Sequence, residues 1–527
     1  MRRGPTRMAN GVRKAQLCLD GSQRSAPWLR MLVRTYASCI EIPCLRLFFA
    51  ICAERGYYIC FGDVDNAFQQ SPPPSIQCYL RVDDEIEDYY LKKFGVKLDR
   101  LKDVIPLWRA LQGHPEAGAL WERLITDILI NKMKFRHATH ERNLYVGVVE
   151  GYEVLVCRQV DDFASGSAAK EAGKIFITVV RKYVQTEFHN MGIETVEGYF
   201  EHYNGIDVFQ TEGYIKLGCE SYLDRVFKTH GWDTEKSEPD HMIPLSPSKV
   251  DQLQRLTGPP EKSPEAKKLM EEKKFAYRTL LGELVYAYVI CRLDVGFAVC
   301  FLARFSNAPH AEHYDALKHV AKYLRRYKDW GLIFRRPSPL RGLPVVNFQF
   351  LDPEEDLPDF PTLELGKLAA LLDAAHATEL MKRRSVSGLL VFFGLCVIVY
   401  KSSLQPLVAT SSTEAEFYTA VVSAKVVRYL RHVLKDLGLE IKEPTPLYVD
   451  NQACIHIIND RRPTSRTRHI EVQFFAVQSW RENGEIVMRH IPGVINSSDD
   501  LTKAVSWVLH HRHVRRSMGH YNHVPSK

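Results

Sequence analysis

Two adjacent carboxylates, Asp161 and Asp162, stand inside the strand-like run CRQVDDFASGS of residues 157–167. A chain that places paired negative charge between two apolar runs accepts repulsion for a reason. The segments YEVLVC before the pair and FASGS after it are rich in Val, Leu and Phe and read as two short strands, so the acids fall at a hairpin tip. Asp pairs also occur in solvated turns, where each side chain caps its own backbone and water screens the charge. With a third carboxylate on the same side of a sheet, the pair instead makes a hard-oxygen site suited to Mg²⁺ or Mn²⁺.

A third acid lies upstream, in YYICFGDVDNAFQQ. Residues 57–61 read as a buried strand that ends at Asp63, and NAF turns the chain after it. Asp65 would share the face of Asp63 if the strand continued, and would point elsewhere if a turn began there. A trio of this kind with two metal ions can activate a 3′-hydroxyl, stabilise an in-line phosphoryl transfer and neutralise the leaving pyrophosphate.

At 527 residues the chain has length for about three domains of ~150 residues each. Two shifts of composition divide it. Residues 232–272 are rich in Pro, Lys, Glu and Ser and suit a solvated connection with one short helix, and residues 335–362 form a second, proline-rich linker. Between them, residues 273–334 include HAEHYDALKHVAKYLRRY, an amphipathic helix with Lys318, Lys322, Arg325 and Arg326 on its polar faces. Such a helix is a solvated face or lies along a nucleic-acid backbone. A net charge of +7 permits a polyanionic partner without requiring one. The 12 cysteines show no metal-binding spacing and read as reduced thiols of an intracellular protein, whether of a cytoplasmic particle or the nucleus. The longest apolar run, LLVFFGLCVIVY, is too short to span a bilayer, and its Gly394 suits a hairpin.

A second set of acids appears in residues 363–510. LAALLDAAHA is an apolar strand ending in Asp373; SGLLVFFGLCVIVYKSS is a hairpin; a long helix runs from SSTEAEF to Gly438; PLYVDNQ is a strand ending at Asp450; EIVMRHIPG is another strand, followed by NSSDDLTK. The order β-β-β-α-β-α-β-α describes a mixed α/β sheet. Asp373, Glu416, Asp450 and Asp499 would then share one rim, where four carboxylates form a two-metal site for hydrolysing a phosphodiester. Glu414 competes with Glu416, because Ser411 to Glu414 fits a capping box, though Thr413 to Glu416 fits the same spacing. The basic segment RRPTSRTRH, with Arg466, Arg468 and His469, is either a solvated run or a phosphate contact. His469 and His490 are candidate proton carriers or structural histidines.

Taken in order, DVDNAF, LQGHPEAGALWERL, QVDDF, VFQTEGYIKLGCESYLDRVF and YRTLLGELVYAYVICRLDVGFAVC resemble the reverse transcriptase of copia-type LTR retrotransposon (Pseudoviridae-like) Pol polyproteins. RRSVSG, SSTEAEF, DNQA, SRTRHIEVQFF and DDLTK resemble the RNase H of the same family. The resemblance implies a multidomain α+β and α/β chain: a right-hand reverse transcriptase (fingers, palm, thumb) followed by an RNase H-like mixed sheet with helices. The implied division is fingers and palm at 1–231, a linker at 232–272, a helical thumb or connection region at 273–334, a linker at 335–362, RNase H at 363–510 and a basic tail at 511–527.

By the same resemblance Asp63 and Asp161 bridge two Mg²⁺ or Mn²⁺ ions with help from the Val64 carbonyl, and Asp162 is the second acid of a Y-x-D-D pair. Glu416 is preferred to Glu414 and Asp499 to Asp500 on their place in the family phrases. The implied activity copies an RNA template into DNA from a DNA primer with dNTPs and degrades the RNA of the RNA/DNA hybrid. The expected partners are these nucleic acids and other parts of a retroelement polyprotein, with no membrane.

Several positions depart from the family pattern. Gln159 replaces the Tyr of Y-x-D-D, and Glu116 replaces a Gln near the expected triphosphate. VRKAQLCLDGS keeps Lys14 as a triphosphate contact but has Gln16 in place of an Arg, and Phe475 replaces a His. The fingers strands expected ahead of Lys14 are not found, so the fingers read as truncated. No capsid, protease or integrase segment is recognised, which implies the C-terminal part of a longer polyprotein or an isolated remnant. The alternative function is therefore a degenerate copy with a dead polymerase and a residual RNase H nuclease, or one that only binds nucleic acid.

Overall fold

In the computed structural model, the described residues are 6–7, 13–14, 35–64, 66–188, 194–196, 200–203, 205–234, 242–336, 358, 360–380, 382–459 and 471–520. Two compact units divide the chain. The first comprises Met1–Ile40, Cys60–His137 and Arg142–Glu197; the second comprises Glu41–Ile59, Ala138–Glu141 and Gly198–Lys527.

The first unit is built on a six-stranded antiparallel sheet. Its strands are β1 (Tyr58–Asp63), β2 (Arg136–His137), β3 (Leu144–Val149), β4 (Tyr152–Gln159), β5 (Asp162–Ser167) and β6 (Glu194–Val196), in the order β6-β1-β5-β4-β3-β2. Alternation of apolar residues sends Val154 and Val156 to one face, where with Phe163 of β5 they meet helix α1 (Ala117–Asp127) through Trp121 and Ile125 and helix α2 (Lys170–Phe188) through Phe176. The β4–β5 hairpin pairs Gln159 with Asp162 across a two-residue loop of Val160 and Asp161. After β1 the chain turns at Asn66, whose φ of 55° is the left-handed conformation that Asn tolerates.

In the second unit, β7 (Phe200–Tyr203), β8 (Ile206–Gln210), β9 (Tyr214–Gly218) and β10 (Leu332–Arg335) form a four-stranded antiparallel sheet. Of the residues assigned above to the palm, β9 thus pairs with the end of the segment assigned to the connection. Helices α3 (Tyr277–Ile290), α4 (Gly296–Ala303) and α5 (Ala311–Arg326) lie between them in the chain. The stretch read as a linker carries two helices rather than one, Pro247–Leu253 and Pro264–Lys273, each with a serine N-cap and a proline in its first turn. Helix Ile42–Glu54, far earlier in the chain, also packs in this unit. Its Arg46 donates to the carbonyls of Ile290 and Ile398 at 3.1 and 3.3 Å and lies 4.0 Å over the Tyr400 ring.

The C-terminal part is a five-stranded mixed sheet of order β13-β12-β11-β14-β15, from β11 (Leu368–Ala375), β12 (Val386–Phe393), β13 (Cys396–Leu404), β14 (Thr445–Val449) and β15 (Ile486–His490). β12 pairs antiparallel with β11 and β13, whereas β14 pairs parallel with β11 and β15. The hairpin between β12 and β13 turns at Gly394, with φ of 54°, as its sequence implies. Helix α6 (Ser412–Asp436) lays Ala420, Ala424, Val427 and Leu434, spaced three, four or seven apart, on the sheet, and ends where Gly438 takes φ of 82°. Helices α7 (Gln452–Asn459) and α8 (Glu471–Glu482) both fall between β14 and β15. The segment read as a basic tail begins inside helix α9 (Trp507–Ser517), where His511, Arg512, His513 and Arg516 are buried. Among the described residues no helix is long and apolar enough to cross a membrane.

Candidate active sites

In the first unit the strand ends bring Asp63 and the acid pair to one place. The Val64 N–H, just past β1, donates to the Asp161 carbonyl at 3.2 Å. Burial first, then the Asp63 and Asp161 carboxylates, push the Asp162 carboxyl up to about 7. Asp161 is also raised by burial, against the opposing pull of its own backbone N–H and of Arg158.

The loop carries strain, because Val160 takes φ of 56°, a conformation costly for a β-branched residue. Two donors hold its carbonyl: the Trp121 indole at 2.7 Å and Arg158 Nη1 at 3.0 Å. Arg158 is fully buried in β4, paired with Glu122 at 2.5 Å and donating to Asn143 at 2.7 Å. Sequence reasoning singled out neither Trp121 nor Arg158. The signal was an arginine in an apolar strand, which requires a buried acceptor set.

Other expected residues of this site are spent locally or lie outside the described residues. Gln159 accepts from the Ile40 backbone N–H at 3.1 Å. Glu116 is buried and accepts from both the backbone N–H and the hydroxyl of Ser75, at 2.9 and 2.8 Å. Lys14 is described only as backbone in the two-residue strand Arg13–Lys14, and Gln16 and Asp65 fall outside the described residues.

The second site is tighter. Asp373 in β11, Glu416 in the first turns of α6 and Asp450 at the end of β14 bring one ligand oxygen each within 4.8 Å of one another. Among the described residues this is the only such group of three or more acid, His or Cys ligands. Glu416 Oε1 accepts from the Ala374 N–H at 2.9 Å, while its Oε2 is buried with no protein partner. Burial, followed by the charge of Asp373, pushes the Glu416 carboxyl up to about 9. Glu414 instead sits at the helix cap: its N–H donates to Ser411 Oγ at 3.1 Å, and its carboxylate accepts from the Thr410 N–H at 2.7 Å.

Asp499 arrives from the 3-10 turn Ser497–Leu501. Burial and the Asp373 charge push its carboxyl up to about 7, and Lys503 Nζ pairs with it at 2.8 Å. Its Oδ1 is also buried without a protein partner. The turn is tied to β11 by Asn496 Nδ2, which donates to the Leu372 carbonyl at 2.9 Å, and by the Thr502 hydroxyl, which donates to Asp373. Two glycines make room. A Cβ on Gly388, the strand partner of Asp373, would stand 2.6 Å from the Ser498 carbonyl, and one on Gly493 would stand 3.1 Å from Asp450 Oδ2. Asn496, Thr502, Lys503, Gly388 and Gly493 were not singled out from sequence, although all but Asn496 and Gly493 lie in the motif phrases. Burial, followed by the charge of Asp373, raises the Asp450 carboxyl, and His490, exposed at the end of β15, pulls slightly the other way; Phe475 is half exposed. Arg466, Arg468 and His469 lie outside the described residues.

Four carboxylates with two buried, unpartnered oxygens are a set that a hard divalent cation fits. The oxygen-only donors match Mg²⁺ or Mn²⁺ better than a thiolate- or imidazole-seeking metal.

The family described as reverse transcriptase (RNA-dependent DNA polymerase) matches residues 7–243. The retrovirus-related Pol polyprotein from transposon TNT 1-94 of Nicotiana tabacum is 30% identical over 240 residues, which are 45% of this chain and 16% of that protein. The Pol polyprotein from transposon RE1 of Arabidopsis thaliana is 22% identical over 475 residues, 90% of this chain and 28% of that protein. The chain therefore spans well under a third of the length of these relatives. Among solved structures, an RNase H1 isolated from compost, LC11-RNase H1, is 13% identical, with 26% of this chain and 94% of that one covered and a TM-score of 0.21. The resemblance to copia-type retrotransposon Pol polyproteins, read above from the motifs, is thereby shown.

Proposed function

We propose that this chain is the reverse transcriptase and RNase H part of a copia-type Pol polyprotein, copying RNA into DNA and hydrolysing the RNA of the resulting hybrid. The convergence of Asp373, Glu416 and Asp450, with Asp499 beside them, carries the nuclease half of this reading. In it these four carboxylates would hold Mg²⁺ or Mn²⁺, which would supply Lewis-acid activation of a water and charge neutralisation at the scissile phosphate. The chain's own residues fix the geometry. The Ala374 N–H aims Glu416, Thr502 aims Asp373, and Lys503 offsets negative charge at the rim until metal and substrate arrive. Arg466, Arg468 and His469 are proposed to bind the hybrid's phosphates.

In the polymerase half, Asp63, Asp161 and Asp162 would hold the metals with the Val64 carbonyl, and Lys14 and Gln159 are proposed to contact the dNTP. The Trp121 and Arg158 donors keep the acid-bearing loop rigid. A second reading has its own support. Gln159 and Glu116 are both engaged by backbone and serine donors, and the three acids do not draw as close as those of the second site. On that reading the polymerase is dead and a hybrid nuclease remains.

One gel separates them: purified chain with Mg²⁺, a labelled DNA primer and a labelled RNA template. Extension with template shortening supports both activities. Shortening alone supports the nuclease reading, and neither would overturn the proposal.

A further inference from the structure

Behind the acidic rim a line of buried polar side chains runs from the helical middle segment to the turn that bears Asp499. Arg292 grips Asp294 through two hydrogen bonds, Nε to Oδ1 at 3.0 Å and Nη2 to Oδ2 at 2.6 Å. Asp294 is hydrogen-bonded to the Tyr323 hydroxyl of α5. That hydroxyl lies 3.0 Å from His510 Nε2 in α9, and His510 Nδ1 lies 2.8 Å from Asp500 Oδ1. All five side chains are buried.

From this geometry we infer that Asp294, Tyr323 and His510 are positioning residues of the nuclease site, acting through Asp500 on its neighbour Asp499. The inference rests on reading the acidic cluster as a metal-dependent nuclease. A five-residue 3-10 turn has few backbone bonds of its own, and Asp499 is repelled by Asp373. Asn496 and Thr502 fasten the turn to β11 on one side. Asp500 fastens it on the other, and a carboxylate so deeply buried must keep its partner. An apolar contact would hold the turn near this place but would let it rotate. A chain of directional bonds from three separate segments allows one rotation, the one that aims Asp499 at Asp373. Outer groups of this kind set metal affinity, and their loss commonly weakens it about 10- to 100-fold. The middle segment, residues 292–323, is on this view part of the nuclease rather than a spacer.

The test uses the full chain carrying Asp63→Asn and Asp161→Asn, so that Mn²⁺ binding followed by calorimetry reports the second site. Into this background go Tyr323→Phe, His510→Phe, His510→Asn and a control, Val320→Ala, a buried apolar truncation in the same helix α5. Tyr323→Phe and His510→Phe are expected to weaken Mn²⁺ binding about tenfold and to speed hydrogen exchange at the amides of residues 498–502. His510→Asn, which can still donate to Asp500, should recover much of the loss. Val320→Ala should lower thermal stability without changing Mn²⁺ affinity.

Folded Tyr323→Phe and His510→Phe variants that bind Mn²⁺ within twofold of the parent would overturn the inference, as would a Val320→Ala loss as large as theirs. Hybrid cleavage by the unmutated chain is scored separately. Its absence overturns the nuclease reading, while the Mn²⁺ and exchange results still decide the positioning role.

Discussion

The indole N–H of Trp121 donates to the carbonyl of Val160 at 2.7 Å, across 39 residues of sequence. The bond joins the core of α1 to the one residue of the acid-bearing hairpin held at positive φ. The strained loop keeps its shape because its carbonyl is claimed from behind. Trp121→Phe removes the donor and keeps an aromatic ring in the core. Arg158 still serves the carbonyl, so the stability loss in urea unfolding should be only about 1 kcal/mol. Primer extension should fall more steeply, about tenfold, because the loop places Asp161 and Asp162. Hybrid cleavage should not change. Extension at the parental rate would remove the anchor from the mechanism.

Arg158 and Glu122 form a second test of the same support. Arg158 is completely buried and Glu122 partly so, with 2.5 Å between them. Removing one partner leaves an unpaired charge in the core, which costs about 3–5 kcal/mol, whereas removing both costs less than the sum. Glu122→Gln, Arg158→Met and the double variant should therefore show a coupling above about 1 kcal/mol in a double-mutant cycle. Additive losses would mean that Asn143 and Ser38, which accept from Arg158 Nη2 at 2.7 and 3.5 Å, already satisfy the guanidinium.

Much of this architecture was legible in the sequence because the acids terminate apolar strands. Asp63 and Asp450 follow strand-length apolar runs, and Asp161 and Asp162 lie between two, so chain order alone suggested which would meet. The capping chemistry of Ser411 explains why Glu414 is turned away from Glu416's neighbours. What the sequence did not disclose is long-range. Tyr214–Leu217 pair with Leu332–Arg335 across more than one hundred positions, and helix Ile42–Glu54 packs by Tyr400 through Arg46. No local period encodes such pairings. Helix α9 was missed for a different reason: HHRHVRR looks like a solvated charge run, yet its His511 packs edge-on against Trp330 and tilted against Trp507. The burial of Glu116 against Ser75 likewise depends on a contact 41 residues away.

The acidic rim makes a prediction about metal-free protein. Burial, followed by the charge of Asp373, raises the Glu416 carboxyl to about 9, so at pH 8 folding requires either proton uptake or a buried, repelled charge. Glu416→Gln should stabilise the metal-free chain by about 1–3 kcal/mol at that pH. In the Asp63→Asn, Asp161→Asn background, where Mn²⁺ reports this site alone, the same substitution should abolish the rise in melting temperature that Mn²⁺ gives, because an amide cannot replace the lost charge. A variant that melts lower without metal, or still gains from Mn²⁺, would show that the cluster is not a strained cation site.

The histidines of α9 set a stability limit on the acid side. Burial holds His511 at about 4 and His513 at about 3, below the ordinary 6.5. A base whose folded pKa is depressed stays neutral in the fold but takes up a proton when unfolded, so its contribution is complete above about 6.5 and is lost as pH falls toward 4. Between pH 7.5 and 5 each histidine should cost about 2 kcal/mol. Glu416 and Asp499 act in the opposite sense over part of this range, so the clean measurement is a difference. His511→Phe keeps the ring against Trp330 and Trp507 and removes the titrating nitrogen. The variant should therefore lose less stability than the parent between pH 7.5 and 5, by about 2 kcal/mol in urea unfolding. Parallel pH profiles for the two proteins would mean that His511 gains its proton without leaving the fold, and that the buried face of α9 is open to water.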